Sequence, residues 1–61
     1  MNYSDKIQSV RQSGHGHYKV TISYYGKDYT ATVNDMTLID SWKDSNAAAG
    51  RLFRNVKRLA L

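Results

Sequence analysis

The sequence YKVTISYYGKDYTATV, residues 18–33, predicts a β-hairpin, and this hairpin decides the fold. Apolar and polar residues alternate on both sides of a central glycine, as they do in strands that bury one face. The apolar and aromatic positions of the two strands fall on one face: Tyr18, Val20, Ile22 and Tyr24 in the first, then Tyr29, Ala31 and Val33 in the second. The segment therefore predicts two antiparallel strands with a common apolar face.

The turn of the hairpin sets the register of the two strands. Gly26-Lys27 is predicted to form a two-residue loop, because glycine at the first loop position is what a type II′ turn requires. Apolar residues then lie opposite apolar residues in the pairs Tyr24–Tyr29, Ile22–Ala31 and Val20–Val33. In this register Tyr25 points away from the apolar face and is the tyrosine most available for an external contact.

The segment before the hairpin has two interpretations. Ile7 and Val10 are three residues apart, which fits a helix capped by Ser4. Residues 6–12 are instead predicted to form a strand, since "SGHG" at 13–16 has the composition of a loop. Two strands alone are hardly stable in water, and a third strand completes an antiparallel meander.

The C-terminal half has the composition of helices. A short helix is predicted to follow "NDMT", residues 34–37, which carries several possible N-caps. Thr37 with Asp40 resembles a capping box, and the apolar face of the helix consists of Leu38, Ile39 and Trp42. We expect Trp42 between this helix and the sheet. Residues 43–46, "KDSN", favour a break before a second helix over about 46–59, because Asp, Ser and Asn prefer caps and turns. One bent helix over residues 37–59 is the alternative.

The second helix is amphipathic. Its apolar residues fall on one arc at 100° per residue: Ala49, Leu52, Phe53, Val56, Leu59 and Ala60. Its cations, Arg51, Arg54, Lys57 and Arg58, fall on the opposite side. Gly50 is unfavourable inside a helix, so it predicts either close approach to another backbone or a helix start.

Size and composition narrow the class of protein. The 61 residues suffice for one domain, 1–61, whose small core is only marginally stable alone. No cysteine is present to form a disulfide or a thiolate metal site, which leaves oligomerisation or a tightly packed monomer, and of these a homodimer is expected. The lack of cysteine, of a signal-peptide core and of any membrane-spanning apolar run leads to the expectation of a cytoplasmic protein.

Charge gives the main functional signal. Nine Lys and Arg against five Asp and no Glu give a formal net charge of +4 and a pI near 9.6, which suits an acidic partner such as nucleic acid. The candidate nucleic-acid-binding residues are Arg51, Arg54, Lys57 and Arg58, with Lys19 and Tyr25. Two other interpretations of the helix stripe stay open. It can be an ordinary solvated face, or it can complement the negative end of the helix dipole.

Other chemistry has little support in the sequence. His15 and His17 are two residues apart, but a closed zinc site needs four ligands and no cysteine can complete it. A Ser–His–Asp set can be drawn from Ser13, either histidine and Asp35, as in almost any chain. We expect no enzyme activity, no metal, no cofactor, no small-molecule substrate and no membrane partner.

The run SVRQSGHGHYKVTISYYGKDYTATVNDMTLID, residues 9–40, resembles small uncharacterised proteins of gut bacteria and their mobile elements. A Gly-His-Tyr-Lys entry, a Gly-Lys hairpin and an Asn-containing cap before an Ile-Asp helix recur in those proteins. The resemblance covers about half of the chain and implies no known activity. It implies only that the segment before the hairpin belongs to the sheet.

Together these patterns predict an α+β domain: a three-stranded antiparallel β-meander, then one short and one longer amphipathic helix packed on one sheet face. The expected function is that of a small non-catalytic module that binds the nucleic-acid backbone non-specifically through its basic C-terminal helix. The alternative is a homodimeric protein–protein interaction module with no nucleic-acid role, which would use an exposed sheet edge or surplus apolar surface.

Overall fold

The structure is a computed structural model that describes residues 2–61. A 3-10 turn, Tyr3–Lys6, leads into strands β1 (Ile7–Gly14), β2 (His17–Tyr24) and β3 (Lys27–Val33), followed by helices α1 (Met36–Ser41) and α2 (Asn46–Ala60). The strands form one antiparallel sheet in the order β1-β2-β3, and α2 packs across β3 and β2. The predicted α+β meander with two helices is confirmed. The helical alternative for residues 6–12 and the single bent helix over 37–59 are wrong.

The predicted hairpin register is wrong by two residues. The loop is Tyr25-Gly26, with φ of 50° and 76°, so both loop residues are left-handed as in a type I′ turn, not the predicted type II′. The observed pairs are Tyr24–Lys27, Ile22–Tyr29, Val20–Ala31 and Tyr18–Val33. A slide of two residues leaves every side chain on its own face, so hydrophobic pattern alone cannot distinguish the two registers. Gly26 is compatible with both turns, as the first loop residue of type II′ and as the second of type I′. In the observed register Tyr24 and Tyr29 are not directly paired but make a diagonal contact, with 6.3 Å between ring centroids.

The core lies between one face of the sheet and the two helices. It consists of nine buried apolar residues: Ile7, Val20, Ile22, Val33, Leu38, Ala49, Leu52, Phe53 and Val56. The predicted apolar arc of α2 is therefore buried only as far as Val56. Leu59 is 61 % exposed and Ala60 is exposed, so the last turn of α2 adds no buried side chain to the core.

Helix starts are fixed by short polar side chains. Asp35, in an extended conformation, accepts a hydrogen bond from the backbone N of Leu38 at 3.3 Å and is the N-cap of α1. The predicted capping box of Thr37 and Asp40 is therefore wrong, since both residues lie inside the helix. Ser45 caps α2 in the same way, through the backbone N of Ala48.

Gly50 lies inside α2, where the helix contacts the N-terminal 3-10 turn. A Cβ atom added at Gly50 would lie 3.2 Å from Cδ2 of the Tyr3 ring. The close approach is therefore to an aromatic ring and not to another backbone. The same ring packs against Phe53, with 5.6 Å between the centroids, so the chain start covers one flank of α2.

Candidate nucleic-acid interface

Three arginines form a continuous stripe on the outer face of α2. Arg51, Arg54 and Arg58 are exposed, while the opposite side of the same helix carries the buried residues Leu52 and Val56. The helix contains no acidic residue, so its outer face has charge of one sign. The Arg54 Nε donates to the carbonyl oxygen of Gly50 at 3.3 Å, which holds this side chain along the helix surface. The stripe can approach an extended anion without an intervening side chain of the opposite charge.

Lys57 differs from these arginines in its position. It is half-buried, and its Nζ lies 5.0 Å from the centroid of the Tyr24 ring, within cation–π distance. Lys57 therefore joins the outer face of α2 to the tip of the β2–β3 hairpin.

Tyr25 occupies that tip and is 89 % exposed, as predicted, though as a loop residue and not as a strand residue. Its ring meets the Tyr24 ring edge to face, with 4.5 Å between centroids and an interplanar angle of 63°. Tyr24 in turn packs against Phe53 with 5.9 Å between centroids, so the exposed ring is connected to the core through one neighbour.

Lys19 lies apart from the other candidates. Its β2 neighbours Val20 and Tyr18 face the helices, so the alternation of the strand places Lys19 on the other face of the sheet, directly opposite Arg11 of β1. The structure thus groups the four cations on α2, and Lys57 connects them through Tyr24 to the hairpin tip that carries Tyr25. Lys19 instead belongs to an open face of small polar residues, on which the Oγ1 atoms of Thr21 and Thr30 lie 2.8 Å apart.

Sequence reasoning missed that the 3-10 turn packs against α2, which places the cation Lys6 and the ring of Tyr3 beside that helix. The Lys6 Nζ lies 5.8 Å from the centroid of Tyr3 and 5.5 Å from that of Phe53. The backbone N of Tyr3 donates to Oδ1 of Asn46 at 2.8 Å, which ties this turn to the start of α2. The one sequence signal was Gly50, which indicated a close neighbour without identifying it.

A cleft of about 660 Å³ lies on the side of the molecule where β1 forms the sheet edge. It is lined by residues 8–11 of β1 and by Ile39, Asp40, Trp42, Lys43 and Asp44. Trp42 is half-buried here, at the end of α1, so it packs on the core as predicted but also borders solvent.

Two of the residues considered for catalysis, Ser13 and Asp35, make hydrogen bonds to the backbone. The Ser13 Oγ donates to the backbone oxygen of His17 at 3.4 Å, and Asp35 caps α1. Within residues 2–61, no group of three or more His or Asp side chains is arranged to hold a metal ion.

Comparisons with family models, with curated proteins and with solved structures each found no match to this chain. The resemblance of residues 9–40 to small proteins of gut bacteria stays a prediction. Over the part of the chain that the structure describes, neither helix has the length and apolar character required to cross a bilayer.

Proposed function

We propose that this protein is a small non-catalytic module that binds the phosphate backbone of nucleic acid through α2. The observation that carries the proposal is the exposed stripe of Arg51, Arg54 and Arg58 on a helix without acidic residues. Arginine is suited to this role because its planar guanidinium group binds phosphate through two parallel hydrogen bonds.

The length of the stripe matches a phosphate backbone. From Arg51 to Arg58 the helix rises by about 10 Å, at about 1.5 Å per residue. A duplex presents about six phosphate charges over that length, so the stripe can contact several of them at once. With Lys57 and Lys6 on the flank, four to six contacts are expected, and the logarithm of the binding constant should fall with the logarithm of salt concentration with a slope of about −3 to −5.

The test is fluorescence anisotropy of labelled oligonucleotides at several salt concentrations, with two double variants of equal charge. Arg54→Glu with Arg58→Glu reverses the stripe. Arg11→Glu with Lys19→Glu is the matched control, because these residues pair directly on the opposite face of the sheet and the change in net charge is identical. The stripe variant should lose binding and salt dependence, whereas the control should keep the slope of the unmodified protein.

Each alternative result has a definite meaning. Equal losses in both double variants would mean that net charge alone drives association. Loss only in the Arg11 and Lys19 variant would place the contact on the open face of the sheet. Absence of binding by the unmodified protein at low salt would refute the proposal, and the basic residues of α2 would then serve solubility and the helix dipole.

A second candidate function is self-association through β1. This strand is an edge of the sheet, and its register shifts near Gln8 and Ser13 leave a regular segment of only four residues, 9–12, for pairing. The adjoining cleft carries two cations, Arg11 and Lys43, and two carboxylates, Asp40 and Asp44. In a two-fold interface the same patch of both copies is in contact, so that residue i of one copy contacts residue j of the other and the reverse. A patch with both charges can therefore pair its cations with the carboxylates of the second copy.

Sedimentation equilibrium tests this second candidate. Dimerisation through β1 predicts that Lys43→Glu, which reverses one of the exposed charges of the cleft, weakens association, whereas Arg54→Glu with Arg58→Glu leaves it intact. A monomer at all concentrations, or a dimer that is indifferent to Lys43→Glu, contradicts the β1 interface.

A further inference from the structure

The position of Tyr25 in the hairpin loop is unusual for an aromatic residue. Among residues 2–61 it is the one non-glycine residue with positive φ, at 50°. The first position of a type I′ turn strongly favours Asn, Asp or Gly, because a side chain with a large Cβ substituent is strained in the left-handed region. Because the ring is 89 % exposed, its burial stabilises the fold too little to offset that strain. A strained, exposed residue of this kind is an observation from which a functional role is inferred.

The ring is also held in place. Its edge-to-face contact with Tyr24 at 4.5 Å limits its rotation, and Tyr24 is anchored by Phe53 in the core. One aromatic surface is thus presented to solvent by a ring whose neighbour is anchored in the core.

The charges around this ring favour an anionic partner. The Lys57 Nζ lies 5.0 Å from the ring centroid of Tyr24, the immediate neighbour of Tyr25. The exposed Lys27 follows directly after the turn and pairs with Tyr24, so it lies on the same face of the hairpin as Lys57, whereas the exposed Asp28 lies on the opposite face. An aromatic surface with cations along one face matches the chemistry of a nucleotide, in which a flat base is attached to a phosphate.

We infer that Tyr25 stacks on an unpaired base of a single-stranded nucleic acid, while Lys57 and Arg58 contact its phosphates. The inference rests on the proposed function of α2 and makes it more specific, because the bases of a duplex are already stacked on each other and cannot cover an external ring. Base–aromatic stacking depends little on sequence, since every base has a π face.

Two variants at one position test the stacking. Tyr25→Asn removes the ring and creates Asn-Gly, the loop that a type I′ turn prefers, so this variant should melt at or above the temperature of the unmodified protein. Its affinity for single-stranded DNA or RNA should fall by about fivefold to a hundredfold, the range for one stacked base. Tyr25→Phe keeps the ring and should bind within about twofold of the unmodified protein. A duplex of equal length should bind the unmodified protein and both variants with the same affinity and the same salt slope.

An oligonucleotide with abasic sites provides a readout that does not depend on a variant's folding. The unmodified protein should bind the abasic strand as weakly as the Tyr25→Asn variant binds the intact strand. The DNA and RNA strands show which backbone is preferred.

Failure of this inference is distinguishable from failure of the proposed function. If the unmodified protein binds with the expected salt slope but Tyr25→Asn or abasic sites leave its affinity unchanged, the stacking is refuted and the role of α2 stands. An equal loss on duplex and single strand would refute it too. If instead Tyr25→Asn changes only self-association, the ring contacts protein. If no oligonucleotide binds at low salt, both proposals fail together.

Discussion

Leu52→Ala and Leu59→Ala form a matched pair that tests where the core ends. Both residues lie on α2, and the helical periodicity places both on the same apolar arc. Leu52 is completely buried, whereas Leu59 is 61 % exposed. The two substitutions remove the same atoms, and their effects on helix propensity are small because Leu and Ala are both strong helix formers, so the difference in stability reports mainly burial.

The expected difference is large compared with the total stability. A chain of 61 residues is expected to be stable by about 3–9 kcal/mol, from typical values per residue. Loss of a fully buried leucine side chain costs about 2–5 kcal/mol, because the cavity adds to the lost transfer free energy. With a urea m-value near 1 kcal/mol/M for so small a domain, Leu52→Ala should lower the unfolding midpoint by about 2–5 M. Leu59→Ala should change the free energy of unfolding by less than about 0.5 kcal/mol.

Urea titration followed by far-UV circular dichroism and by Trp42 fluorescence measures both variants. Trp42 packs on the core from α1, so the two signals should change together if unfolding is cooperative. Each titration is repeated at two protein concentrations, because an effect of Leu59→Ala that grows with concentration would indicate burial in a dimer. Equal destabilisation by both substitutions at every concentration would refute the packing described for the last turn of α2.

Two further predictions concern helix α1 and the packing of Gly50. Asp35→Ala should lower the free energy of unfolding by about 0.5–2 kcal/mol through loss of the N-cap, whereas Thr37→Ala should lower it by less than about 0.5 kcal/mol. Thermal denaturation measures both, and a larger loss for Thr37→Ala would mean that Thr37 is the cap. Gly50→Ala should stabilise α2 by about 1 kcal/mol in a Tyr3→Ala background but by clearly less beside the intact Tyr3 ring, since the new Cβ would lie 3.2 Å from it. A double-mutant cycle in urea measures this coupling, and additive effects would mean that the ring moves aside freely.

The part of the site predicted from sequence is the part that depends on local periodicity. The cations of α2 were found because a helix of known period separates Arg51, Arg54 and Arg58 from Leu52 and Val56. Lys19 was grouped with them on charge alone, although the alternation of β2 already places it on the sheet face opposite Tyr18 and Val20. Lys6 and Tyr3 were missed because they reach α2 across more than 40 residues of chain, as the hydrogen bond from Tyr3 to Asn46 shows.

The sequence by itself determined the hairpin strands, the amphipathic helix α2 and their apolar faces, because alternation with period two predicts strands and a period of 3.6 predicts a helix. For residues 6–12 and for the break at 43–46 the sequence left two interpretations, and the tertiary structure decided between them. The tertiary structure decided what hydrophobic periodicity leaves undetermined, which is the register of the hairpin and the buried length of α2. A slide of two residues in the hairpin preserves both faces, so turn geometry placed Tyr25 in the loop. How much of α2 is buried depends on which residues distant in sequence pack against it, and helical periodicity carries no information on that; the buried arc ends at Val56, and Leu59 faces solvent.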